Sequence, residues 1–338
     1  MRGKCRFTGK VRNLLIFFAA ILMGLPLNGC SDETPKVYRL GILCGIRDLS
    51  PTVDGFKARM RELGYLEGKN IAYDLQIIQI NTVAEKRILR KFVGDRVDIM
   101  FVFPSEAALE AKAITKGTGI PVVFSHTNIE GIDLIKSVSE PGGNLTGVRY
   151  PGPDLALKRL EILNTLVPQA RRIYIPYWSK SRAVSAQLAI LRPAAAKMGI
   201  TLVEAPADSP RQLLADLEKR AVADEIGIDA VLLISEPLAK VPAVFPKLGK
   251  FARDHHVAIG GALVSSGGYS TVFGIATNHE KVGRLAAQLV HKVLKGIPVG
   301  TIPVVSAEGY FRINYKAAQK LGLNVPEWLL RQADEIIR

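Results

Sequence analysis

Val97-Asp98-Ile99-Met100-Phe101-Val102-Phe103 is the stretch on which the fold turns. After Asp98 it is apolar without interruption. A strand that alternates apolar and polar has one wet face, whereas a continuous run belongs to a strand covered on both faces, as in a parallel sheet flanked by helices. The flanks agree. Ser105–Lys116 reads as a helix, with Ser105 as a plausible cap, and Ile120–Phe124 (IPVVF) reads as the next buried strand. Upstream, Val37–Leu43 is a strand. Pro51–Leu63 places Val53, Phe56, Met60 and Leu63 at helical spacing, and Gly64 ends it. Asn70–Ile77 is a strand and Val83–Val93 a helix. The order strand, helix, strand, helix, strand, helix, strand predicts a doubly wound parallel α/β sheet.

The pattern restarts after Pro141–Val148. Strands are expected at Arg172–Ile175, Ile200–Glu204, Ala230–Ile234 and Val257–Ile259. Helices are expected at Ala183–Lys197, from Ser209-Pro210 to about Ala223, and over Ala239–Arg253. Gly267–Ala276 is glycine-rich and extended. Asn278 caps a helix closed by Gly296, Ile302–Val305 is extended, and Asn314–Leu321 and Glu327–Ile336 read as terminal helices. One helix between two extended crossings suggests a chain that revisits the first lobe and returns. The expected division is a first lobe of 36–148 plus 275–302 and a second of 149–274 plus 303–338.

The 338 residues are 48% hydrophobic and 22% charged, ordinary globular values that exclude wholesale disorder. Of the net charge of +14, Arg2, Lys4, Arg6, Lys10 and Arg12 supply five in an acid-free leader, leaving +9 on the rest. That smaller excess weakens a nucleic-acid reading. The basic segment precedes an apolar run, Leu14–Leu27, too short to span a bilayer and placed like a secretory signal. Leu27-Asn28-Gly29-Cys30 resembles a bacterial lipobox. Residues 1–29 are then a signal peptide, Cys30 the lipidated residue and 30–35 a tether; two or more acyl chains give stable anchoring. Cys5 leaves with the signal. Cys44, after an apolar strand, reads as a packed thiol. Three cysteines and five histidines give no metal-ligand spacing, so no metal site is expected. No dinucleotide fingerprint, phosphate-binding loop, nucleophile elbow or HExxH string occurs, so neither a cofactor nor catalysis is indicated.

Several strings together resemble one family: Gly41-Ile42; Gly55-Phe56; Leu63-Gly64-Tyr65-Leu66-Glu67-Gly68-Lys69-Asn70; Val97-Asp98-Ile99; Ile120–Phe124; Pro141-Gly142-Gly143-Asn144-Leu145-Thr146-Gly147-Val148; and Asn314, Ala317-Ala318, Leu321-Gly322-Leu323 and Pro326. The chain is similar to the substrate-binding proteins of ABC transporters with the type I periplasmic-binding-protein fold, in the branch with tryptophan- and tyrosine-binding lipoproteins. The resemblance implies a two-lobed, monomeric envelope lipoprotein. Such a protein captures a small solute, an amino acid and possibly an aromatic one, and delivers it to an ABC permease. It uses no cofactor, catalyses nothing and binds no nucleic acid. A sensory module of the same fold, acting on a membrane signalling partner, is the alternative.

In open α/β sheets ligands sit beyond the carboxyl ends of the strands, and the candidate residues follow from that rule. Arg47, after the first strand, can pair with a ligand carboxylate or be a solvated loop arginine. Ser105 and Glu106 open a helix whose N–H groups can seat a carboxylate, or Ser105 is a simple cap. The family commonly has threonine-proline where this chain has Phe103-Pro104, and aspartate-proline where it has Asn128-Ile129. Asn128 thus occupies a ligand position without the negative charge. In the second lobe Tyr177 and Trp178 can cover an aromatic or cationic ligand or pack at the lobe edge. Glu236 is the expected partner of a ligand ammonium, and Gly268 lies in the glycine-rich approach after the last strand.

Overall fold

The computed structural model describes residues 36–338, save positions 80, 237, 239, 240, 242, 263 and 264, together with Gly3. The signal segment 1–29, Cys30 and the tether lie outside the described residues. From Val37 onward the chain is one compact unit built on two sheets.

The first sheet has the strand order β13-β5-β4-β3-β1-β2. Its members are β1 (Tyr38–Cys44), β2 (Ile71–Ile77), β3 (Ile99–Phe103), β4 (Val122–Thr127), β5 (Leu145–Arg149) and β13 (Val305–Ser306). Every pairing is parallel. All residues of β3 and β4 are buried, which is why their sequences are apolar rather than alternating. Helices α1 (Pro51–Glu62), α2 (Thr82–Gly94) and α3 (Ser105–Ile114) connect these strands. Asn81 caps α2, its side chain accepting from the Ala84 N–H at 2.9 Å.

The second sheet has the order β15-β14-β12-β9-β8-β6-β7. It comprises β6 (Arg172–Trp178), β7 (Thr201–Ala207), β8 (Ala230–Leu233), β9 (Ala258–Gly261), β12 (Phe273–Thr277), β14 (Gly309–Asn314) and β15 (Glu335–Ile337). β10 (Ser265–Ser266) and β11 (Tyr269–Ser270) form a separate hairpin. Helices α4 (Gly152–Leu166), α5 (Arg182–Lys197), α6 (Pro210–Ala221) and α7 (Phe245–Asp254) belong to this lobe. β14 runs antiparallel to β12, with β15 parallel to β14, so the sheet is mixed at one edge.

Helix α8 (His279–Leu294) leaves the second sheet and packs on α1. The approach is backbone to backbone. A Cβ on Gly55 would lie 2.1 Å from the Glu280 carbonyl oxygen, and one on Gly283 would lie 1.9 Å from the Thr52 carbonyl oxygen. Neither position has room for a side chain. Ion pairs reinforce the contact at the surface, where Arg284 donates to both oxygens of Glu62 at 2.9 and 2.8 Å. The chain therefore passes between the sheets after β5, after β12 and after β13.

Several elements differ from the sequence reading. Helix α4 has no counterpart in it, because its opening Pro151-Gly152-Pro153 reads as a loop. The last helix, α10 (Glu327–Gln332), ends before the expected Ile336. There Asp334 clamps the chain to β14: its N–H donates to the Phe311 carbonyl at 2.8 Å and its carboxylate accepts from the Phe311 N–H at 2.7 Å. The following Glu335–Ile337 becomes an edge strand. Asn314, read as the start of a helix, ends β14 and caps α9 (Tyr315–Lys320).

Candidate functional site

The carboxyl ends of β1, β3 and β4 are tied together by polar contacts. The N–H of Gly45, the residue after β1, donates to the Phe103 carbonyl at 2.8 Å. The Phe103–Pro104 peptide is cis and leads directly into α3. Ser105 is the first residue of that helix and makes no cap. Its hydroxyl accepts instead from the backbone N–H of Asn128 at 3.1 Å, holding the segment after β4. Asn128 also abuts the start of α4, since a Cβ on Gly152 would lie 2.8 Å from its Oδ1. Ser105 and Asn128 are thus brought together at the first passage between lobes. Glu106 is exposed beside them. Arg47 lies exposed after β1, its backbone N–H donating to Gln79 Oε1 at 3.4 Å.

The same strand ends hold an acid that the sequence reading missed. Glu85, on α2, is 1% exposed. Its Oε1 lies against the backbone of Gly45: a Cβ there would be 3.1 Å from Oε1, 3.2 Å from the Phe103 carbonyl oxygen and 3.2 Å from Pro104 Cδ. Only glycine allows that approach. Neither carboxylate oxygen closes a hydrogen bond. Burial pushes the Glu85 carboxyl above its ordinary range, and the charges of Glu106 and Glu110 push it further, against a smaller lowering by the Asn81 backbone. Cys44 is buried beside this group, its thiol 3.0 Å from the Ile46 carbonyl and pushed up to about 11, chiefly by burial. That is the packed thiol of the sequence reading.

In the second lobe Glu236 and Trp178 meet. Glu236 is 6% exposed, and its Oε2 accepts from the backbone N–H groups of Trp178 at 3.0 Å and Leu238 at 2.8 Å. It shapes the ends of β6 and β8. Trp178 is half-buried and packs against the cluster containing Tyr174, Leu233 and Phe245. Tyr177 corrects the sequence reading. Strand alternation turns it to the opposite face, where it packs with Val184 and Leu188 and donates to Glu204 Oε2 at 2.9 Å. It is a core residue rather than a cover for a ligand. Gly268 is likewise not part of the constellation. It sits at the exposed turn of the β10–β11 hairpin with φ of 81°.

Two arginines that the sequence reading passed over organise the passages between lobes. Arg149 donates to Glu130 at 2.6 Å in the first lobe, to Asp154 at 3.2 Å on α4, and to Ser306 at 2.6 Å on β13. Arg159 is fully buried on α4 and donates to the Tyr150 hydroxyl at 2.9 Å and twice to the Ile275 carbonyl, at 3.1 and 2.6 Å. A cavity of about 410 Å³ is lined by Leu109, Gly131, Ile132 and Asp133 of the first lobe and Ser185 of the second. The Asp133 side chain is almost fully exposed, so this is the rim of the cleft. The chemistry lies at the strand ends.

Comparison with known proteins follows the same lines. A curated "Tyrosine-binding protein" of Clostridioides difficile is 27% identical over 320 residues, spanning 88% of this chain and 89% of that one. Two solved structures share the fold. One is an ABC domain in complex with L-Trp from Streptococcus pneumonia, with a TM-score of 0.76 and 21% identity over 89% of this chain and 100% of the other. The second is the ligand-free, open form of a substrate binding protein with adhesive properties from Clostridium difficile, with a TM-score of 0.72 and 22% identity over 89% and 99%. The model of the ABC transporter substrate binding protein family matches residues 47–337. With its two type I periplasmic-binding lobes, the chain belongs to that family, whose members bind substrates for transporters and are not enzymes.

Proposed function

We propose that the protein captures an amino acid with an aromatic side chain between its lobes and presents it to an ABC permease. The observation that carries this reading is the match, along nearly the whole chain, to a tyrosine-binding relative. The site supports it. Carboxyl ends of parallel strands from both lobes supply acids, backbone groups and the half-buried indole of Trp178, the kind of mixed surface that holds a small zwitterion with a flat side chain. The lobes hinge at the three passages, with the first lobe closing on the second. The protein acts outside the cytoplasm as a monomer, held to a membrane through lipidated Cys30.

Purification without denaturation, mass spectrometry of the released small molecule and calorimetry with L-tyrosine and L-tryptophan test the ligand. Binding of either, with one molecule per chain, is the expected result. Binding of neither, or copurification of a sugar, would overturn it.

A further inference from the structure

We propose that Glu85 sets the polarity of the solute site, making the first lobe the seat of the ligand's ammonium group and not of its carboxylate. The inference rests on the amino-acid reading above and adds an orientation to it.

Three observations carry it. First, the start of α3, the natural seat for a carboxylate, is already engaged: the Ser105 hydroxyl holds the Asn128 N–H at 3.1 Å. Second, the strand ends there are acidic. Glu106 occupies the second position of α3, Glu110 lies one turn further along, and Glu85 lies against Gly45, Phe103 and Pro104 from the neighbouring helix. A ligand carboxylate placed among these groups meets like charges at low dielectric, whereas an ammonium is attracted. Third, Glu85 is a buried carboxylate with both oxygens lacking a hydrogen bond. Buried charges are ordinarily paired, and no cation counts among the groups that shift it. Lys86, the next residue, turns to Glu110 at 3.5 Å. An arriving ammonium supplies the missing counter-charge. Sequence position hid this residue, because it lies on a helix and not after a strand.

The test separates the two ends of the ligand. Wild type and Glu85→Gln are titrated calorimetrically with L-tyrosine, with tyramine, which lacks the carboxylate, and with 3-(4-hydroxyphenyl)propionate, which lacks the ammonium. Glutamine keeps the shape and removes the charge. The expected result is a loss of at least about tenfold in affinity for L-tyrosine and tyramine, with the propionate bound no more weakly than by wild type. Unchanged affinity for both amines, or an equal loss for all three compounds, overturns the proposal. If wild type binds no tyrosine or tryptophan, the aromatic reading fails on its own account, and the two proteins are compared across the remaining standard amino acids. Loss of whichever one binds then sustains the role of Glu85, and retention within twofold overturns it. If none binds wild type, both readings fall.

Discussion

Glu85 carries its carboxyl group into the protein with 1% of its surface exposed and no hydrogen bond to replace the lost water. Its pKa is therefore higher in the folded chain than the ordinary 4.5. The sign follows from linkage. Folding favours the protonated form, so this contribution to stability is complete below the unfolded value and is lost as pH rises through the folded one. Glutamine does not titrate. Glu85→Gln should therefore melt close to wild type at acid pH and above it at pH 8, by about 1–3 kcal/mol, in ligand-free thermal scans at both pH values. A variant less stable than wild type at pH 8 would contradict the buried-charge account. At Cys30 the argument is sequence alone: Cys30→Ala should abolish lipid labelling and release the protein from membrane fractions, and unchanged labelling would refute it. Residues placed just after strands were legible, and Ser105, Asn128, Trp178 and Glu236 do lie at strand ends. Tyr177 and Gly268 were misread. The face a strand residue takes depends on register, and a glycine pair reads alike in a hairpin and in a binding loop. Glu85 was not legible, because an orphaned charge is a property of tertiary packing.

Among the elements, the contact of α1 with α8 is the most exacting. Gly55 and Gly283 bring two helix backbones within reach of one another, and a methyl group at either position strikes a carbonyl that cannot rotate away. Gly283→Ala should cost about 3 kcal/mol, at the upper end of ordinary overpacking, as read from urea unfolding. A cost below about 0.5 kcal/mol would mean that the helices part easily. Glu62 offers a milder test. Hydrogen bonds from Arg284 and then Arg59 hold its carboxyl at about 2. Its depressed pKa contributes stability above its ordinary range, lost as pH falls from about 4.5 toward 2. In Arg284→Ala that acid-side loss should shrink, though the pair is exposed and screened by salt. The alternation of strands and helices was legible because doubly covered strands are apolar throughout. Short edge strands such as β13 and β15 were not, since a few residues carry no periodicity.

For the whole molecule, two sheets are joined by three passages, and Arg149 and Arg159 bridge them with charged donors. A ligand that binds both lobes should draw them together. L-tyrosine at a hundred times its Kd should raise folding stability by about 2.7 kcal/mol and reduce the radius of gyration measured by small-angle scattering. A stabilised protein of unchanged radius would mean that one lobe holds the ligand alone.

The docking of α8 on α1 also has a bearing on when this protein can fold. Its first lobe lacks a helix and the edge strand β13 until the ribosome has passed Ser306, and its second lobe lacks β15 until the last residues are made. For most of its synthesis the nascent chain has an uncovered apolar face around Phe56, with nothing yet made to cover it. Neither half can lock early. A polypeptide built this way stays slack until it is almost complete, and a truncation anywhere before α8 would leave two unfinished halves in place of one finished lobe.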